Sequence, residues 1–96
     1  MTQQYLVGEV SLRLAQLQAV ALEPSLARTI SQLRNEAETS PPGALSVVLI
    51  RALEMTDAIC FDSLARGDMT AFSSQLATGA ELREFGVCAG LLEDSD

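Results

Sequence analysis

The chain has 96 residues, is 48% hydrophobic but only 4% aromatic, carries a formal net charge of −7 and contains no histidine. A chain this long can bury roughly 60 to 65 per cent of its unfolded surface, which argues against disorder except at the ends, and its leucine, alanine, valine and isoleucine favour packed helices over sheets. The acidity disfavours binding to phosphate backbones or anionic lipid, and the six cations, all arginine, are spread singly instead of forming a basic stripe.

Met1 to Tyr5 carry no basic leader, and no apolar run approaches the roughly 20 residues a membrane span needs. A cytoplasmic protein is expected. The absence of lysine, together with abundant alanine and leucine, points to a GC-rich bacterial coding sequence.

Over the first segment, Leu6, Val10, Leu14, Leu17 and Ala21 recur at helical spacing, while Gly8, Leu12, Ala15, Ala19 and Leu22 form a second stripe. Glu9, Arg13 and Gln16 separate the stripes on one flank, and Ser11 and Gln18 on the other. A helix in a monomeric bundle needs one broad apolar stripe, so a doubly apolar helix implies burial from both sides. Self-association supplies the second cover most simply; a bundle that encloses both faces within one chain is the alternative. Val10-Ser11-Leu12-Arg13-Leu14 also alternates with period two, but the apolar pattern runs on through Val20 among good helix formers.

Pro24 suits the first turn of a second helix, where its missing N–H is no loss. Leu26, Ile30, Leu33 and Ala37 give that helix a single stripe in phase with Leu12, Ala15, Ala19 and Leu22, so one long helix kinked at Pro24 is a competing description. Ser40-Pro41-Pro42-Gly43 then breaks the chain, because two prolines in succession cannot continue a helix. Ser40 is expected to cap a third helix with Pro41 at its first position. Leu45, Val48, Leu49, Ala52, Met55 and Ile59 mark that helix's core face, and Ile50, Glu54, Asp57 and Phe61 form a line on its other side.

Gly67 is placed to end the third helix in left-handed conformation, and Asp68 to cap the next. Phe72 and Leu76 fall in one phase, and Leu82, Phe85, Ala89 and Leu92 in another. With the capping-box pattern Thr78-Gly79-Ala80-Glu81, this predicts a short fourth helix to residue 77 and a fifth from residue 80, loosened near Gly86 and Gly90. Residues 1–3 and the tail 94–96 are expected to fray.

Chemistry is sparse. Without histidine the chain lacks the residue most used for proton transfer near neutral pH, and no enzyme activity is expected. Cys60 and Cys88 form neither a CxxC pair nor a metal quartet, so no metal site is expected, and their apolar neighbours predict buried free thiols. No glycine-rich phosphate loop occurs.

One alternative comes from a short string. Asp62-Ser63-Leu64 resembles the Asp-Ser-Leu at which acyl carrier proteins receive phosphopantetheine, and Leu82-Arg83-Glu84-Phe85-Gly86-Val87 looks like the end of their second helix. The resemblance implies that Ser63 carries the prosthetic group and that the acidic helix after it docks partner enzymes.

The leading expectation is an all-α domain spanning residues 1–96, a four- to five-helix bundle of two αα-hairpins joined at Ser40-Pro41-Pro42-Gly43. Its expected role is that of a protein–protein interaction module, homodimeric and without cofactor. Leu6, Val10, Leu14 and Leu17 on one face, with Gly8, Leu12, Ala15 and Ala19 on the other, are the candidate interface, and Ile50, Glu54, Asp57 and Phe61 are a second surface for a basic partner.

Overall fold

The computed structural model describes residues 3–39 and 41–93. These form four α-helices: α1 (Gln3–Val20), α2 (Pro24–Thr39), α3 (Leu45–Arg66) and α4 (Met69–Cys88), with a 3₁₀ turn at Pro42–Ala44. Among the described residues there is no strand. The expected fraying of residues 1, 2 and 94–96 lies outside the described residues, whereas Gln3 already belongs to α1.

Each boundary follows from local chemistry. The chain leaves α1 through a tight turn, Ala21 N–H to Gln18 O, so the first two helices are separate and not one kinked rod. Glu23 opens α2: its carbonyl accepts from Leu26 and Ala27, and its carboxylate accepts the Ser25 N–H at 3.2 Å. Pro24 then occupies the first helical position. Gly67 ends α3 at φ 75°, with its N–H on Leu64 O and the Asp68 N–H on Ser63 O. Asp68 turns the chain directly into α4 by accepting the Ala71 N–H on its side chain at 3.0 Å.

The start of α3 differs from the sequence expectation. Pro41 lies outside the helix and accepts the Ala44 N–H, and Ala44, which offers no side-chain cap, precedes Leu45. The proposed Ser40 cap falls outside the described residues.

Cross-helix contacts fix an up-down-up-down topology. Ser11 meets Glu38 and Gln18 meets Arg34, so α1 and α2 run antiparallel. Glu36 meets Arg51 and Glu23 meets Arg66 between α2 and α3, and Ser63 meets Gln75 between α3 and α4. Arg13 over Phe85 and Gln75 on Val20 close the ring between α4 and α1.

The core is aliphatic: Val10, Leu14 and Leu17 from α1, Ile30, Leu33 and Ala37 from α2, Leu45, Val48, Leu49, Ala52 and Ile59 from α3, and Leu82 from α4. Five helices are not formed, because α4 runs unbroken through residues 77–80. Thr78 does not cap; its hydroxyl donates back to Ser74 O at 2.9 Å, as mid-helix threonines do. The buried stripe of α4 is Gln75, Gly79, Leu82 and Gly86, which lies between the two apolar phases visible in the sequence. A Cβ on Gly79 would come within 2.5 Å of Thr56 Cγ2, and one on Gly86 would collide with Leu92. These glycines therefore allow α3 and the C-terminal segment to approach α4 closely.

Candidate functional site

Two outward surfaces are candidates, and polar contacts determine which side of each helix faces solvent. On α1 the flank with Glu9 and Arg13 turns toward α4: the two form an ion pair at 3.6 Å, and the Arg13 guanidinium stacks 4.7 Å from the Phe85 ring centroid. The opposite flank turns toward α2, where Ser11 donates to Glu38 at 2.8 Å and Gln18 accepts from Arg34 at 3.3 Å. With both flanks engaged, the two apolar stripes can only point into and out of the bundle.

Val10, Leu14 and Leu17 point inward and are fully buried, with half-buried Leu6 packed against them. Of the two candidate faces of α1, this one is therefore the subunit's own core. Gly8, Leu12 and Ala19 point outward, with Ala15 half-buried on the same side. Leu12 is 54% exposed, and nothing stands within 4 Å of where a Cβ on Gly8 would lie. Tyr5, exposed, extends the stripe at its first turn, and Leu22, also exposed, lies just past the end of α1. Within α1, positions 5, 8, 12, 15 and 19 alternate by three and four residues, the spacing of a helix-pairing seam.

The second surface is a groove between α3 and α4 with a volume near 680 Å³. Ile50, Glu54 and Asp57 line it from α3; Leu76, Ala80 and Arg83 line it from α4. Phe61 continues the α3 line one turn beyond Asp57 and is 73% exposed. Leu91, Leu92 and Glu93 close the far end, because Gly90 at φ 75° reverses the chain and the Leu91 and Leu92 N–H groups bond back to Gly86 O. The α4 and C-terminal residues of this groove escape sequence reading because α4 was expected to break at its centre. The spacing of Gln75, Gly79, Leu82 and Gly86 by four, three and four residues is the signal that could have found it.

Charge distinguishes the two surfaces. The outward α1 stripe is neutral, whereas three carboxylates, Glu54, Asp57 and Glu93, share the groove with one guanidinium, Arg83. No described cation lies within ion-pair distance of Glu54 or Asp57; Arg51 is held by Glu36, and Arg66 by Glu23 and Asp62. Behind Asp57, the Cys60 thiol is pushed above its ordinary pKa by burial first and by the Asp57 charge second.

Ser63 faces the interior of the bundle. It is fully buried and donates its hydroxyl to Gln75 Oε1 at 2.7 Å, while Gln75 Nε2 donates to Val20 O at 2.7 Å. The serine that the acyl-carrier resemblance singles out is thus engaged inside the bundle. Cys60 is buried as expected from its neighbours, but Cys88 is exposed.

Among the described residues no group of histidine, cysteine, aspartate or glutamate could hold a metal ion, and no helix is long and apolar enough to cross a membrane. No protein-family model, curated protein or solved structure matches the chain.

Proposed function

We propose that this protein is a non-enzymatic helical interaction module of the bacterial cytoplasm that pairs with a second copy of itself through the outward stripe of α1. The exposure of Leu12, at 54%, between small residues on a helix whose other face is already buried, carries this reading. Gly8, Ala15 and Ala19 let a second helix approach closely.

Charge favours a second copy as the occupant. A molecule of net charge −7 repels its own kind, and a neutral seam is where two copies meet at least electrostatic cost. The residue sizes fit an antiparallel, two-fold arrangement in which each side presents the same patch. In that register Gly8 lies opposite Ala19 and Leu12 opposite Ala15, so each larger residue faces a small one and the two helices can approach.

Multi-angle light scattering at micromolar concentration tests it. The expected mass is twice the 10.2 kDa of the monomer, falling to the monomer value in Leu12→Glu. A wild-type protein that scatters as a monomer refutes the pairing.

A further inference from the structure

The groove between α3 and α4 is organised along its length. Leu76 lines one end, and Phe61, exposed and just outside the lining, continues the α3 line beyond Asp57 at that end. Ile50 and Leu92 form the other end, where Leu92 seats over Gly86. Glu54 and Asp57 lie between them. From Ile50 to Phe61 is three helical turns, about 16 Å at the usual rise per residue.

We propose that this groove binds an amphipathic helix of another protein, one that carries arginine or lysine side chains flanked on the same face by apolar residues. Apolar anchors at each end with a charged centre match the way a helix lies in a groove, reading contacts at successive turns. The carboxylates select the sign of the partner's charge. Nucleic acid and anionic lipid are rejected by the same field.

A second copy of the chain is the poorer occupant. A two-fold contact across this surface would set the three carboxylates Glu54, Asp57 and Glu93 of each copy against those of the other with only one Arg83 per copy to offset them. The groove and the α1 stripe lie on different helices, so each can fail without the other.

The test uses the full chain and a fluorescent alanine-based helical peptide with leucines at the spacing of Ile50 and Phe61 and arginines at the spacing of Glu54 and Asp57. Anisotropy titration is expected to show saturable binding at one site per chain. The Glu54→Gln/Asp57→Asn double variant is expected to weaken it by about tenfold, the size of two partly exposed charge contacts, and Phe61→Ser to weaken it further. Circular dichroism checks that each variant remains folded. The proposal is overturned if the peptide fails to bind, if a peptide with glutamates in place of the arginines binds equally well, or if the double variant binds unchanged. It is also overturned if Ile50→Glu, rather than Leu12→Glu, converts a dimer to monomer, since the groove is then covered by a second copy.

Discussion

Gln75 reaches across the bundle to Val20: its side-chain amide donates to the Val20 carbonyl at 2.7 Å while its Oε1 accepts the Ser63 hydroxyl. Val20 is the last residue of α1, so its carbonyl is one of those a helix end leaves without a partner. A single buried side chain thus caps α1, anchors α4 and satisfies a hydroxyl on α3. Replacing Gln75 by alanine leaves that carbonyl and that hydroxyl without their shared partner and opens a cavity, which costs about 3 kcal/mol. Ser63→Ala strips only one contact from Gln75 and costs about 1 kcal/mol. Urea unfolding of both variants checks the order, and an equal cost for the two would contradict the central role of Gln75.

Two glycines predict opposite responses to the same substitution. At Gly8, on the open side of α1, alanine relieves the entropic penalty of a helical glycine and meets nothing, which gives a gain of about 0.5 to 1 kcal/mol. At Gly79 the new methyl meets Thr56, whose rotamer is held by its hydroxyl bond to Ala52 O at 2.9 Å, so the neighbour cannot turn aside. Strain there outweighs the propensity gain, and a net loss of about 1 to 2 kcal/mol is expected. Both are measured in a Leu12→Glu background, so that subunit pairing does not enter the comparison.

The four helices differ in how far their buried faces are legible in the sequence. The core faces of α2 and α3 are legible because Leu26, Ile30, Leu33 and Ala37, and then Leu45, Val48, Leu49, Ala52 and Ile59, are all apolar at helical spacing. The α4 face is hidden because, besides Leu82, it consists of Gln75, Gly79 and Gly86, which no hydropathy count scores as core. Reading α1 stops halfway: both stripes are apolar, and only the long-range partners of Arg13 and Ser11, far away in sequence, decide which one turns inward. The groove is half legible for the same reason, since its α3 wall is a line along one helix while its α4 wall and the Leu92 seat depend on packing around glycine.

The two thiols are expected to separate in rate. Cys88 is exposed and reacts promptly with a thiol reagent, whereas buried Cys60 reacts only as fast as the bundle opens. Cys60 also makes stability fall at alkaline pH. Its folded pKa lies above the ordinary value of 9.0, so below that pH the thiol is protonated in both states and has no effect on the balance. As pH rises past that value the unfolded chain releases the proton first, and stability falls until the folded thiol titrates as well. Cys60→Ala is therefore expected to flatten the decline in stability above about pH 9 relative to wild type; an identical decline in the variant would remove Cys60 as its source.

Salt provides a test in which the two surfaces must move in opposite directions. Dimer formation through the neutral α1 stripe brings together two bodies each of charge −7, so their repulsion weakens as the Debye length shrinks from about 30 Å at 0.01 M to about 8 Å at physiological ionic strength. Pairing is therefore expected to tighten modestly with added sodium chloride. Binding of a basic helix in the α3–α4 groove depends on attraction by Glu54 and Asp57 and is expected to weaken over the same range. Sedimentation equilibrium follows the first and peptide anisotropy the second, with Leu12→Glu removing only the former and Glu54→Gln/Asp57→Asn reducing only the latter. If both associations weaken together with salt, the division of this acidic surface into a neutral seam and a charged groove is wrong.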